Sequence, residues 1–367
     1  MNSKSSGESM NITHKRLYSQ QLSGGADLKS PEAVVKWMGA MQAQDHAMSK
    51  WAVGIRLPGS SEQAVDDAMA AGKILRTHLM RPTWHLVASE DIRWLLGLTA
   101  PQIKALAKTR YKELELTPEL LKKSNRIIEK ALAGENHLPR EELMAQLLKS
   151  GIRSDFDNRS SHLLMWAELE GIICSGPPKG NKHTYALLDE RVPHTKAVPR
   201  EEALGKLAER YFNSHGPATL ADFNWWSGLS VKDARNALEH VKHGLVCETV
   251  GEESYLLSQK SMDHSGKMNN AFLLPAYDEF IISYKNRSAI LNAEEHKKAV
   301  SVNGLFRPVI VIEGKVKGLW KRTVKKDKVI IETDLFEKLT VTEAKNLEAA
   351  SASFEQFILS NSLARVH

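Results

Sequence analysis

Between residues 139 and 188 the apolar positions first recur at helical spacing and then condense into short runs flanked by turn residues. Pro139 and Arg140 open a helix ending at Gly151, with Leu143, Leu147 and Leu148 at helical intervals. Asp157 is placed to cap a second helix, which runs to Gly171 with Leu163, Leu164, Trp166, Ala167 and Leu169 as its apolar side. Residues 172–175 and 183–188 then read as strands around a turn from Gly176 to Lys182. The same order of helix, helix and hairpin returns from Glu201. There, Leu204, Leu207, Ala208 and Tyr211 share a face, Gly216 and Pro217 stop the helix, and Thr219 and Ser230 cap the next two. Strands at 245–250 and 254–257 close that copy. A looser copy comes first: a helix from Pro31, another capped by Ser60 or Ser61 and ending at Gly72, and strands at 74–79 and 83–87.

Helix, helix and hairpin is the order of a winged helix, with a supporting helix, a recognition helix and a β wing. A helical block over 89–134 connects the first two copies, with Pro101 and Pro118 marking helix starts, and 189–199 and 258–270 read as linkers. From Ala271 the pattern changes to strand-like runs at 308–313, 316–320 and 328–333, followed by a helix capped by Thr342. The expected fold is therefore mainly α with small β wings, an α+β chain of three tandem winged-helix modules plus a C-terminal β-rich, barrel-like domain. The expected divisions are a flexible leader over 1–11, a first module with its connecting helices over 12–134, a second over 135–199, a third over 200–262, and the β-rich domain over 263–367.

Charge adds a partner to this picture. The chain of 367 residues carries a formal net charge of +6, and clustered Lys and Arg gain affinity for a polyanion by displacing its counterions. Arg159 stands near the start of the middle copy's second helix, Lys179 and Lys182 on its wing, and Lys321 and Arg322 on a C-terminal hairpin after Trp320. With Arg81, Lys285, Arg287 and Arg307 they form the candidate DNA-binding set. The third copy's hairpin tip, Gly251, Glu252 and Glu253, is acidic and unsuited to phosphate. Cys174 and Cys247 are the only cysteines, and with no apolar leader or membrane-length apolar run they point to a reducing, cytoplasmic (nucleoid-associated) setting. No phosphate loop, dinucleotide fingerprint or helical His pair is present, so no cofactor and no metal are expected.

The segment Gln42, Ala43, Gln44, Asp45, the run Arg81 to His85, and the run Gly216 to Thr219 with Trp225, Trp226 and Gly228 stand out together. So do Leu274 to Phe280 and Asn303, Gly304, Phe306, Arg307, Pro308. On these residues the chain resembles the AlkZ-like winged-helix DNA glycosylases, over nearly everything after residue 11. The resemblance implies three winged helices with a β-barrel domain, removal of alkylated bases, and a catalytic pair of glutamines flanking an apolar residue, here Gln42 and Gln44. Keeping glutamine at the second place, where a related branch has aspartate, resembles the branch associated with bulky adducts and interstrand crosslinks.

Glutamine is no general acid, but a purine alkylated at a ring nitrogen is already cationic and leaves without protonation. What remains is to place a water and to stabilise positive charge growing on the sugar, which suits an amide oxygen. Residues two apart on a helix point about 200° from each other, so cooperation requires the helix from Pro31 to end or distort near Gln42. Neither glutamine is expected in the core. Asp45 is a rival base, and Trp84 and His85 are expected beside the flipped nucleotide. The expected partner is double-stranded DNA carrying alkylated bases, met by a monomer. Three other readings stay open: a winged-helix transcription regulator, a damage-binding protein without catalysis, and a lysine nucleophile forming a Schiff base.

Overall fold

The computed structural model describes residues 12–24, 27–154, 156–259, 270–325 and 328–363, so the expected leader lies outside the described residues. The chain begins with α1 (12–19), α2 (Pro31–Met38), β1 (Met41–Gln42), α3 (His46–Gly54) and α4 (Glu62–Ala70). Next come the hairpin β2 (Ile74–Leu79) and β3 (Thr83–Ala88), α5 (Ser89–Glu113), α6 (Pro118–Leu132), β4 (Leu138–Pro139) and α7 (Arg140–Lys149). α8 (Arg159–Leu169), β5 (Ile173–Ser175), β6 (Thr184–Leu187) and α9 (Leu188–Arg191) complete the middle of the chain. The last part holds α10 (Arg200–His215), α11 (Leu220–Ser227), α12 (Val231–Val241), β7 (Leu245–Val250), β8 (Glu253–Ser258), β9 (Ala271–Leu274) and α13 (Glu279–Ile282). α14 (Ala293–Ala299), β10 (Val309–Ile312), β11 (Lys315–Lys325), β12 (Lys328–Leu335) and α15 (Val341–Leu363) end it. The fold is mixed α and β, and the chain divides into one compact unit of Asp67–Ala203 and another of Met1–Asp66 with Leu204–His367.

The central unit is built on helices. Leu121, Ile128 and Leu132 of α6 meet Leu143 and Leu147 of α7 and Leu163, Leu164 and Ala167 of α8 in one apolar cluster. α6 starts where the sequence places it, with Pro118 in its first turn and the Thr117 hydroxyl accepting from Leu120 N at 3.3 Å. Two expected boundaries are corrected. Pro101 starts no helix but lies inside the long α5, because the buried stripe Ile92, Leu95, Leu96, Ala100 and Ile103 continues straight through it. The position before α8 belongs to Asn158, left-handed at φ 60°, while the Asp157 carboxylate pairs with Arg110 at 3.0 Å. β4, β6 and β5 form a small antiparallel sheet, with Ser175 opposite Tyr185.

In the other unit, β9, β10, β11 and β12 form an antiparallel sheet with Val309 opposite both Leu274 and Leu319, and Lys321 opposite Glu332. The expected barrel is not closed. The sheet ends at β9 and β12, since four strands are too few to curl into a filled barrel, and α15 covers one face instead. Phe354 of α15 sits edge-on to Trp320 at 5.0 Å and to Trp51 of α3 at 5.1 Å. α15 is capped by Thr340, whose hydroxyl accepts from Glu343 N at 3.2 Å, and not by Thr342, which lies inside the helix. Thr219 and Asp222 form a reciprocal capping box on α11, and Ser230 caps α12.

Candidate active site

The glutamine segment owes its shape to a helix that stops early. Ser30 caps α2, Pro31 occupies its first turn, and Gly39 at φ 79° ends it after Met38. β1 then carries Met41 and Gln42, and α3 begins only at His46, capped by the Asp45 side chain accepting from Met48 N at 3.0 Å. Gln42 and Gln44 therefore belong to a non-helical stretch between two helices, Gln42 in the short strand and Gln44 in the bend that leads into α3. Their burial differs, against expectation for the first of them. Gln44 is exposed, but Gln42 is only 6% exposed, because the flanking Ala40, Met41 and Ala43 are core residues that draw it inward. Its amide oxygen is buried without a hydrogen-bond partner among the described protein groups.

Beneath this segment lies Glu279, the first residue of α13, which sequence reasoning quoted only as part of a run and gave no role. Its carboxylate accepts from Gln42 N at 2.6 Å, from Trp226 Nε1 at 3.1 Å and from the Ser283 hydroxyl, and stands 3.6 Å from His215 Nε2. Burial alone would raise this carboxyl, but His215, Ser283 and the Gln42 amide outweigh it and bring it down to about 2. His215, fully buried and stacked on Tyr211 at 4.9 Å, is pushed below the ordinary histidine value by burial, with Glu279 opposing. The signal available in the sequence was a pair of acids inside the apolar run Ala276 to Tyr284, since carboxylates in such a run are buried only when paired. The preceding acid, Asp278, holds Arg56 through two bonds of 2.8 Å, with both side chains fully buried. Arg56 also donates to Ala52 O and to Gln20, each at 2.9 Å.

Other candidates are distributed. Arg322 of β11 lies half-buried against Met48 and 5.7 Å over the Phe354 ring; burial lowers its pKa, and the charges of Asp45 and Glu62 oppose that shift. Lys321 is exposed and pairs with Glu332 at 2.8 Å. Arg287 donates to Ile281 O at 2.7 Å and faces the rings of Trp225 and Phe306 at 5.5 and 5.1 Å. Lys285 and Arg307 are exposed. The central unit holds the rest. Trp84 lies against His78 at 4.0 Å with Arg76 at 4.1 Å over its ring, Arg81 is half-buried, and His85 is 2% exposed with Nδ1 3.0 Å from Thr83 O. Lys179 and Lys182 occupy the hairpin tip as expected, facing Glu142 at 3.2 Å and Glu141 at 4.0 Å. Arg159 is not at the surface but 6% exposed, packed 5.1 Å from the Phe156 ring.

A buried carboxylate thus holds the backbone of a non-helical Gln-Ala-Gln segment, and the protein falls among the DNA glycosylases. The family model described as "DNA glycosylase AlkZ-like" matches residues 35–357, and the chain belongs to that family. It is 25% identical over 305 residues to the interstrand DNA cross-link repair glycosylase of Streptomyces sahachiroi, spanning 80% of this chain and 82% of that one. The solved structure of the Streptomyces sahachiroi DNA glycosylase AlkZ shares the fold, with a TM-score of 0.77 at 20% identity over 95% of each chain. DNA is accordingly the substrate, and among the described residues no helix is long and apolar enough to cross a membrane.

Proposed function

We propose that this protein is a monofunctional glycosylase that hydrolyses the N-glycosidic bond of alkylated, cationic purines in double-stranded DNA, bulky adducts and interstrand crosslinks included. The observation that carries the reading is the buried, unpartnered amide oxygen of Gln42 on a non-helical segment two residues before the exposed Gln44. In this reading the two amides hold the attacking water and the sugar. The C1'–N9 bond breaks with both electrons going to the base, which leaves neutral, and the positive charge it carried passes to the oxocarbenium-like sugar, where amide oxygens stabilise it. Water adds to the anomeric carbon, its proton passes to solvent, and an intact abasic strand remains.

The helix, helix and hairpin segments serve as winged helices that grip the duplex, with Trp84, Lys179 and Lys182 among the contacts in the central unit and Lys285, Arg287, Arg307, Lys321 and Arg322 in the other. The monomer is the working form, in the cytoplasm. The relative's name, interstrand DNA cross-link repair glycosylase, supports extending the substrate range to crosslinks. Purified protein incubated with a duplex carrying one N7-alkylguanine should release the free modified base, detected by mass spectrometry, and leave a strand that breaks only after alkali. Binding without base release would favour a damage-binding protein; strand cleavage without alkali would favour a lysine nucleophile.

A further inference from the structure

We propose that Glu279 is a positioning residue for base excision, an anionic clamp that fixes the backbone of Gln42 and through it the direction of the Gln42 amide oxygen. The proposal rests on Gln42 acting in excision. The Gln42 side-chain oxygen is buried with no described protein partner, so the polar restraint the protein is seen to place on this residue is on its backbone. The backbone N–H is held at 2.6 Å by Glu279 from a different part of the chain, and that carboxylate is itself held by Trp226 Nε1 and the Ser283 hydroxyl. Burying a carboxylate is costly, and a site needing only volume would be filled more cheaply by an apolar residue. A charged acceptor makes a shorter, stiffer bond to an N–H than a neutral one, which is what positioning to within a fraction of an ångström requires. The adjacent Asp278 grips Arg56 just beyond α3, so consecutive carboxylates hold the chain before the start of α3 and past its end.

The test is a double-mutant cycle on single-turnover excision of N7-methylguanine from a duplex, at saturating enzyme, with wild type, Q42A, E279Q and the combined variant. Dissociation constants for undamaged duplex are measured by anisotropy alongside. E279Q should slow excision about ten- to a hundredfold, less than the loss of a direct contact, with the dissociation constant within about twofold of wild type. The combined variant should be no slower than Q42A by more than about twofold, because Glu279 acts through that side chain. A slow Q42A beside a wild-type-like E279Q overturns the clamp and leaves the reading of Gln42 standing. Multiplying losses in the combined variant overturn it too, since a generally structural residue behaves that way. A wild-type rate for Q42A removes both. Should E279Q fail to fold, S283A takes its place, withdrawing one donor from the carboxylate. It should slow excision about threefold or more in the wild-type background and not in Q42A, and an unchanged rate overturns the proposal.

Discussion

Replacing Asp278 by Ala removes one partner of a fully buried ion pair. Arg56 and Asp278 are both fully buried, joined by two hydrogen bonds of 2.8 Å, and the guanidinium keeps only Ala52 O and Gln20 once the carboxylate is gone. Stranding a buried cation in this way costs about 3–5 kcal/mol. Asp278 also caps α13 by accepting from Phe280 N at 2.9 Å, and a lost cap adds about 1 kcal/mol. Against a typical total of about 5–15 kcal/mol, D278A should lose about a quarter or more of the stability of its unit. Urea titration followed by circular dichroism measures this as a lower midpoint of the transition that belongs to that unit. The pair R56M/D278L, apolar at both places, should lose less than D278A alone, because it leaves no charge behind. A D278A variant within about 1 kcal/mol of wild type, or a double variant worse than the single, would refute the reasoning.

Q42A and Q44A should each lower excision of a cationic base by about ten- to a thousandfold while undamaged-duplex affinity holds, checked by base release and anisotropy. Q42A should also be no less stable than wild type by more than about 1 kcal/mol, as truncation removes an unpaired buried acceptor, a point thermal melting decides. The Glu279 carboxyl, near 2 in the fold against an ordinary 4.5, contributes stability that is present above about pH 4.5 and lost as pH falls toward 2. E279Q should therefore flatten that acid limb, and an unchanged limb between pH 4.5 and 2 would count against an ionised Glu279. At Gly54 a Cβ would lie 2.2 Å from the Phe357 ring, so G54A should cost about 1–3 kcal/mol in a denaturant titration by pushing α15 off α3.

Helix and hairpin order was legible because it is written in local periodicity. Pro118 starts a helix and Thr219 and Ser230 cap theirs where short-range chemistry places them, and the strands at 74–79 and 245–250 carry unambiguous turn residues on their flanks. The misplacements share a cause. Asp157 satisfied the local rule for a cap but found Arg110, a partner remote in sequence, and Pro101 broke the local rule while the apolar stripe of α5 overrode it. The open sheet could not be told from a barrel because strand patterns record alternation along each strand and not whether the last pairs with the first. In the site, the end of α2 near Gln42 followed from geometry once the two amides were required to cooperate. The burial of Gln42 and the role of Glu279 depend on a contact spanning most of the chain, which no window of residues contains.

That separation bears on how the site is built. The glutamine motif is complete by residue 44, yet the groups that fix its geometry arrive at Asp278 and Glu279, after Tyr277 takes a left-handed turn at φ 59°. The turn lets two consecutive carboxylates reach different targets, Arg56 beyond the end of α3 and Gln42 before its start. Each target is a donor already committed to the interior, so neither carboxylate is free to solvate, and moving one costs a buried charge its partner. The backbone of Gln42 carries the restraint, and the side-chain oxygen is buried without a described protein partner. A glutamine on a regular helix would have its backbone satisfied four residues away and its neighbour two positions on turned to the opposite side. Two amides acting on one sugar therefore require an interruption between helices, and an interruption inside the protein requires an outside acceptor for the freed N–H. Glu279 meets that requirement for Gln42, accepting its N–H from far along the chain.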